Sequence, residues 1–163
     1  PNNNNDRACT ELSQAKNYLV LLNPEAFSSK ESYIASLAAS NYDLLIIDAY
    51  YGDSMLTPED VARLQYKPGG SRRLVASYMS VGEAEDYRPY WQSQWGTNPP
   101  DWMWIANGDW EGNYRVRYWS KDWQKMLMGS PQSYLDQILA AGFDGAFLDV
   151  IDVFYVFEDI ANQ

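Results

Sequence analysis

The segment GFDGAFLDVID, residues 142–152, has the pattern of a buried strand that follows a turn. Gly142 and Gly145 mark the turn, and the short apolar run after them ends on Asp149 and Asp152. Barrel enzymes built from parallel strands present their catalytic groups at the carboxyl ends of such strands. The segment therefore predicts an α/β fold in which Asp149 lies at the mouth of a site.

Three further apolar runs predict strands upstream of this segment, at residues 17–23, 42–50 and 73–82. Helix start signals separate these runs. Ser28 and Glu31 fit a capping box, and Thr57 is an N-cap residue that precedes Pro58 at the first helical position. The run at 42–50 is too continuously apolar for an exposed antiparallel strand and is typical of a buried parallel sheet.

The rest of the chain continues this alternation after one long interruption. Residues 83–120 predict a long loop that is dense in Trp, Tyr, Gly and Pro. Residues 121–128 predict a short helix, and a second helix is expected between Ser130 and Gly142, where a left-handed C-cap belongs. Four side chains of that helix are expected to face the core: Tyr134, Leu135, Ile138 and Leu139. A terminal helix is expected at residues 154–160.

This order of elements predicts one α/β domain at residues 17–163, preceded by a polar, poorly ordered lead-in at residues 1–16. Four β-α units make half of a (β/α)8 barrel, a fold that takes about 250 residues. We therefore expect a fold of the TIM-barrel type, of which these residues cover about the first half.

The composition excludes several kinds of chemistry. The chain has no histidine and one cysteine, so histidine-based triads, histidine metal sites, internal disulfides and cysteine zinc sites are not expected. The first strand is followed by Asn23-Pro24-Glu25 instead of a glycine-rich phosphate loop, which argues against nucleotide binding. No cofactor or metal is therefore expected, and no apolar run is long enough to predict a membrane span.

Charge and aromatic content indicate the kind of partner. The net charge is −10, and six acidic residues follow Lys125, the last basic residue. Such a field repels nucleic acid and anionic membranes and attracts a cationic substrate, although it also fits an acidic surface that serves solubility. The chain has 7 Trp and 13 Tyr, and much of this aromatic content falls between Tyr87 and Trp123, as expected for sugar-stacking platforms or for rings that fill gaps under a long loop.

Candidate site residues lie where the predicted strands end. Period-two alternation places Asp149 on the side of Phe147 and Ile151, which we expect to face the core. The alternative roles are a helix cap or a salt bridge for Asp149 and a loop cap for Asp152. The ends of the second and third strands add four candidates: Asp48, Tyr50, Tyr78 and Glu83. Glu85 and Asp86 are expected to pair with Arg88.

Two carboxylates that flank a glycosidic bond are the working parts of most glycosidases. The inventory of carboxylates, tyrosines and tryptophans, without histidine or a nearby thiol, favours glycoside hydrolysis over acyl or hydride transfer. Three ordered motifs then resemble glycoside hydrolase family 114, the endo-α-1,4-polygalactosaminidase-like barrels. They are SVGEAEDYR at 80–88, GNYRVRYW at 112–119, and GFDG at 142–145 running into LDVID at 148–152.

The resemblance covers about residues 17–157 and implies a (β/α)8 barrel that hydrolyses α-1,4-linked galactosamine-rich exopolysaccharide, usually secreted or at the cell surface. It implies that Asp149 matches the catalytic aspartate of the family. The partner glutamate of the family lies on a later barrel strand, and we expect no counterpart for it before Gln163. The resemblance also implies a cationic amino-sugar polymer as the partner.

Two functions of different class follow. The first is an endo-acting glycosidase with Asp149 as the catalytic group. Asp48, Tyr50, Tyr78, Glu83 and Asp152 would then bind substrate, with Trp104, Trp110 and Tyr114 as stacking surface. The second is a non-catalytic polysaccharide-binding half barrel that lacks the second acid. A weaker third idea is that two half barrels pair into one pseudo-complete barrel.

Overall fold

The computed structural model describes residues 5–161, in which nine β-strands and five α-helices follow one another. The strands are Tyr18–Leu21 (β1), Leu44–Ile47 (β2), Tyr50–Tyr51 (β3), Ser54–Met55 (β4), Leu74–Ser80 (β5), Glu83–Glu85 (β6), Met103–Ala106 (β7), Asn113–Val116 (β8) and Gly145–Asp149 (β9). The helices are Lys30–Ala38 (α1), Pro58–Leu64 (α2), Lys121–Leu127 (α3), Tyr134–Ala140 (α4) and Phe154–Ala161 (α5).

The main sheet has the order β1-β2-β5-β9. Strands β1, β2 and β5 pair in parallel, with Val20 beside Ile46 and Ile46 beside Ala76. The central strand β2 is buried from Leu45 to Ile47, because a parallel sheet is covered on both faces. The predicted parallel α/β sheet is confirmed. Within the described residues the sheet is open, with β1 and β9 as its outer strands, so these residues do not form a closed barrel.

The chain divides into two compact units. Unit 1 lies within Pro1–Tyr78 and Ile138–Phe147, and unit 2 lies within Met79–Gln137 and Leu148–Gln163. Strands β5 and β9 each begin in unit 1 and end in unit 2.

Helices α1 and α2 of unit 1 begin at side-chain caps. Thr57 accepts a hydrogen bond from the Asp60 backbone N–H and Asp60 accepts one from Thr57 N–H, which confirms the N-cap predicted before Pro58. The cap predicted at Ser28 is wrong by one residue. Ser29 holds the extended backbone of an N-cap and accepts the Ser32 N–H.

The described part of the expected lead-in packs onto unit 1. Cys9 is buried, and its N–H donates to the Arg72 carbonyl at 2.8 Å. The ammonium of Lys67 donates to the carbonyls of Asn5 and Arg7 and pairs with Asp43, and both charged side chains of that pair are buried. The buried Lys67 ammonium needs carbonyl acceptors, and it therefore fixes the position of this polar segment. The composition of the segment did not indicate this contact.

The segment expected to be a long loop contains an antiparallel sheet with the order β6-β8-β7. Glu83 lies opposite Arg115 and Ala84 opposite Tyr114, while a register irregularity separates Met103 and Ala106 of β7. The strands are three or four residues long and their aromatic residues do not alternate regularly with polar ones, so period-two reasoning could not find them.

Two expectations about buried faces are wrong. Leu139 of α4 is 49% exposed, although Tyr134 and Ile138 of that helix are buried. Phe147 of β9 is 43% exposed, so the side of the strand that it shares with Asp149 is not a closed core among these residues. Gly142 does hold the expected left-handed conformation, with φ of 92°.

Within residues 5–161, no helix combines the length and the apolar character that crossing a bilayer requires. The same residues contain no group of three or more His, Cys, Asp or Glu side chains arranged to hold a metal ion.

Candidate active site

Asp149 lies at the carboxyl end of β9, where the sequence predicted it. Its side chain is half-buried, and its carbonyl oxygen accepts the Val81 N–H at 3.1 Å. The backbone of Asp149 is therefore anchored to the segment that joins β5 to β6, while part of its carboxylate stays accessible. That combination suits a group that acts on a ligand.

The residue after Asp149 holds an unusual backbone. Val150 has φ of 56° and ψ of 33°, a left-handed conformation that β-branched residues avoid at a cost of about 1–3 kcal/mol. Gly82 makes it possible: a Cβ at Gly82 would lie 2.2 Å from the Val150 carbonyl oxygen and 2.8 Å from Val153 Cβ. The missing side chain at Gly82 thus lets the strained turn after Asp149 pack closely.

Asp152 lies in the short 3-10 helix Ile151–Val153 that follows this turn. Its side chain is exposed, and so is that of Ile151, which was expected to face the core with Asp149. The expectation fails because the left-handed turn at Val150 ends the strand alternation on which it depended.

Glu83 lies within a network of hydrogen bonds. Its carboxylate is buried, with Oε1 accepting from Asn107 Nδ2 at 2.7 Å and Oε2 from Asn113 Nδ2 at 3.1 Å. The Arg115 Nε lies 3.9 Å from Oε1. Glu83 therefore accepts hydrogen bonds at both oxygens inside unit 2, and its expected role of lining a substrate cleft stays a prediction.

Glu85 forms the pair expected with Arg88. The Arg88 Nε donates to Glu85 Oε2 at 2.6 Å, and the Tyr87 hydroxyl donates to Oε1 at 2.7 Å. Both Glu85 and Arg88 are buried, so this pair serves the architecture of unit 2.

Three predicted site residues belong to unit 1: Asp48, Tyr50 and Tyr78. Asp48 is half-buried just after β2, and its Oδ1 accepts the Tyr50 N–H at 2.8 Å. Tyr50 is buried in the β3–β4 hairpin, and Tyr78 is half-buried on β5. Burial, followed by the charge of Asp48, raises the pKa of the buried Tyr33 phenol above its usual range.

The tryptophans of unit 2 divide into two groups. Trp95, Trp102 and Trp123 are buried and pack in sequence, with ring centroids 5.1 and 5.0 Å apart. The Trp123 Nε1 donates to the Val81 carbonyl at 2.9 Å. Buried rings of this kind fill the core. The interpretation of the tryptophans as rings that fill gaps therefore applies to these three.

The exposed tryptophans include two of the predicted stacking residues. Trp104 on β7 is exposed, with the Arg117 guanidinium 4.6 Å from its ring centroid. Trp110 is exposed in the turn between β7 and β8, and the half-buried Tyr114 packs against Trp91 at 4.9 Å. These rings offer the apolar faces that a sugar ring can stack on.

Unit 2 links the Asp149 region to the aromatic sheet through two adjacent residues. Val81 donates to Asp149, and the carbonyl of Gly82 accepts the Val116 N–H of β8 at 3.1 Å. Six predicted site residues lie in this unit: Glu83, Trp104, Trp110, Tyr114, Asp149 and Asp152. Sequence reasoning did not identify Asn107, Asn113 or Val150 as residues of this region. For Val150, the available signal was Gly82 at the end of a predicted strand.

A mainly apolar groove of about 700 Å³ also lies in unit 2. Leu148, Val150 and Ile151 contribute to its walls together with Lys121 and Lys125 of α3, while Asp149 is not among its lining residues. This groove is therefore lined by the neighbours of Asp149 in sequence and not by Asp149 itself, since neighbouring residues of a strand point to opposite faces.

Comparison with known proteins gives a consistent set of similarities. Residues 15–163 match the family model described as glycoside-hydrolase family GH114. An uncharacterized protein of Methanocaldococcus jannaschii is 38% identical over 149 residues, covering 89% of this chain and 40% of that protein. An uncharacterized protein of Deinococcus radiodurans is 33% identical over 124 residues, covering 76% of this chain and 38% of that protein.

Two solved structures are similar in fold. The glycoside hydrolase domain of PelA from Pseudomonas aeruginosa has a TM-score of 0.60 at 20% identity, with 87% of this chain and 47% of that chain covered. Aspergillus fumigatus Ega3, solved in complex with galactosamine, has a TM-score of 0.57 at 21% identity, with 93% and 51% covered. The chain thus spans about half or less of each of these four proteins.

Proposed function

Because this chain belongs to glycoside-hydrolase family GH114, we propose that it supplies the Asp149 side of an endo-acting glycosidase site for α-1,4-linked, galactosamine-rich exopolysaccharide. Asp149 acts as nucleophile or acid–base group, as one member of the carboxylate pair that such hydrolysis needs. The single observation that carries this assignment is the half-buried carboxylate at the end of β9, held by the Val81 hydrogen bond and the strained turn at Val150.

The substrate class follows from charge and from exposed rings. The net charge is −10, and the exposed Trp110 stands between two exposed carboxylates, Asp109 and Glu111. A polymer of protonated amino sugars offers apolar ring faces to the indole and positive charge to the carboxylates. The galactosamine bound to Ega3, a protein of similar fold, supports the same substrate class. A polymer of this kind is met outside the cell, so we assign the protein a secreted or cell-surface location.

The second catalytic carboxylate belongs to further strands of a (β/α)8 barrel, of which these residues form the first half. The open sheet supports this arrangement, because its outer strands carry exposed apolar side chains at Tyr18, Val20, Phe147 and Leu148. The relatives, which this chain covers to 40% and 38%, have room for such strands. Reading the gene on both sides of this sequence tests the arrangement, and a complete frame without a further strand-ending glutamate would contradict it.

The activity test compares Asp149→Asn with a control on the complete protein. Asp122→Asn is the matched control, because Asp122 is an exposed acid of α3 paired with Lys125. We expect Asp149→Asn to lower the release of reducing ends from a de-N-acetylated galactosamine polymer by at least about 10³-fold, as loss of a catalytic group does. Asp122→Asn should match the wild type. Equal activity of the wild type and Asp149→Asn would remove Asp149 from the mechanism.

The polysaccharide-binding alternative is favoured by the exposed Trp104, Trp110 and Trp119. It predicts that the protein retains a labelled galactosamine polymer without shortening it. Chain-length analysis of the polymer after incubation separates the two functions.

A further inference from the structure

Unit 2 contains a buried carboxylate with an uncommon set of partners. Glu83 is 3% exposed, yet its nearest hydrogen-bond donors are two neutral amides, Asn107 Nδ2 at 2.7 Å and Asn113 Nδ2 at 3.1 Å. The Arg115 guanidinium, at 3.9 Å, partly compensates the charge. Burying a carboxylate is costly unless it is hydrogen-bonded, so the energy of this group depends on where the two amides are held.

The two amides belong to the ends of one turn. Asn107 and Asn113 bracket the β7–β8 connection, and the Asn107 N–H donates to the Asn113 carbonyl at 2.8 Å. The Asn107 Oδ1 accepts the Asp109 N–H at 3.0 Å, and the Asn113 N–H donates to the Trp110 carbonyl at 3.2 Å. Glu83 therefore connects, through Asn107, to the backbone on both sides of Trp110.

The turn is also confined from the side of β6. Gly112 has φ of 84°, and a Cβ there would lie 2.7 Å from Asp86 Oδ1. The Asp86 N–H donates to the Gly112 carbonyl at 2.9 Å. A turn restrained at Asn107, Gly112 and Asn113 has little backbone freedom, whereas the Trp110 ring at its tip is 68% exposed.

We propose that Glu83 is a positioning residue, which holds this turn in one conformation so that Trp110 is a preformed platform for a sugar ring. A platform whose backbone is already ordered loses less conformational entropy when a ligand stacks on it, and the ligand binds more tightly. The identity of the ligand rests on the proposed function, but the restraint of the turn by Glu83 does not.

The test uses Glu83→Gln, Trp110→Ala, the double variant and the control Asp122→Asn. Glu83→Gln keeps the shape of the side chain but replaces one carboxylate oxygen with an NH2 group. That group faces the donating NH2 group of one asparagine, so one of the two hydrogen bonds is lost. Amide hydrogen exchange without sugar should become at least about tenfold faster at Asp109 and Asn113 in Glu83→Gln, with Ala76 of β5 unchanged. Trp110→Ala should leave the exchange of Asn107 and of β8 unchanged.

Binding of de-N-acetylated galactosamine oligomers supplies the second measurement. Trp110→Ala should weaken binding about tenfold, and Glu83→Gln about fivefold. The double variant should bind no more weakly than Trp110→Ala alone, because Glu83 acts only through Trp110. Additive losses, or unchanged exchange at Asp109 and Asn113, would overturn the proposal.

Two other outcomes, unfolding of the Glu83→Gln variant and absence of sugar binding by the wild type, are distinguished from failure of the proposal as follows. If Glu83→Gln unfolds unit 2, Asn107→Ala is used in its place, since it removes the link between Glu83 and the Asp109 N–H. If the wild-type protein binds no galactosamine oligomer, the proposed function and the platform role both fail, whereas the exchange measurement still decides whether Glu83 restrains the turn.

Discussion

The turn at Val150 shows how a single residue can set the geometry of the site. It is the one non-glycine residue with positive φ among residues 5–161, and it immediately follows the catalytic candidate Asp149. Backbone strain of this kind persists only where surrounding contacts impose it, and it is enriched at functional sites. Here Gly82 leaves the room that the Val150 carbonyl needs in this conformation.

Gly82→Ala should therefore destabilise the protein by about 1–3 kcal/mol, because the new Cβ overlaps the Val150 carbonyl. Gly96→Ala is the control, since a Cβ at Gly96 meets nothing within 4 Å. Urea denaturation of both variants measures the difference in the free energy of unfolding. Equal midpoints for the two variants would show that the turn adjusts without cost.

The buried pair of Asp43 and Lys67 gives unit 1 a dependence on acid. Burial alone would raise the pKa of Asp43, but hydrogen bonds from Lys67, the Lys16 N–H and Asn5 lower it below the model-peptide value of 3.8. The folded state thus binds a proton less readily than the unfolded state. The stabilisation from Asp43 is complete above about pH 4 and is lost as the pH falls through the folded pKa.

Asp43→Asn should lower the free energy of unfolding by about 3–5 kcal/mol at neutral pH, because it leaves the Lys67 ammonium buried without its carboxylate. It should also remove the Asp43 share of the acid dependence. Asp122→Asn, which breaks an exposed pair with Lys125, should change stability by less than about 1 kcal/mol. A pH series of urea titrations measures both effects, and similar losses in the two variants would contradict the argument.

At the scale of elements, α3 is held to unit 2 through Trp123. Its ring is buried between Trp102 and Tyr90, with centroid distances of 5.0 and 5.9 Å, and its indole N–H donates to the Val81 carbonyl. The helix has seven residues, too few to be stable without packing. The fold of α3 therefore depends on the packing of its buried side chains, Trp123 and Leu127, more than on helix propensity.

Trp123→Ala should cost about 3–5 kcal/mol of stability through the cavity that it leaves. Trp110→Ala should cost less than about 1 kcal/mol, because its ring is largely exposed. Thermal unfolding followed by circular dichroism compares the two. A small loss in Trp123→Ala would mean that the aromatic chain repacks around the gap.

At the scale of the whole chain, we expect net charge to influence which polymers approach. A charge of −10 favours a cationic polymer, and this attraction is screened when salt shortens the Debye length from about 10 Å at 0.1 M to about 3 Å at 1 M.

Binding of a de-N-acetylated galactosamine polymer should therefore weaken at least about tenfold between 0.1 and 1 M salt. Binding of the fully N-acetylated polymer, which is neutral, should change little over the same range. Equilibrium dialysis with labelled polymer measures both. A salt-independent affinity for the charged polymer would assign recognition to ring stacking alone.

Much of the fold could be predicted because its signals are local. The continuous apolar runs predicted β1, β2, β5 and β9, and the Thr57-Pro58 pair predicted the start of α2. The sheet β6-β8-β7 could not be predicted, because its strands are short and lack regular alternation, and because β6 pairs with β8 across the intervening β7 segment. The sequence showed that the chain is rich in aromatic residues, but it did not show which of the rings the core would bury.

Local sequence patterns were enough to predict the parallel α/β order and the carboxylate at the end of β9, because periodicity and turn residues act over a few positions. The partners of Glu83, the sorting of the tryptophans into buried and exposed ones, and the conformation of Val150 could be read only from the three-dimensional contacts. Each of these depends on partners distant in sequence: Glu83 meets amides 24 and 30 residues away, and Val150 meets Gly82. Burial and strain are set by such long-range contacts, which local patterns do not encode.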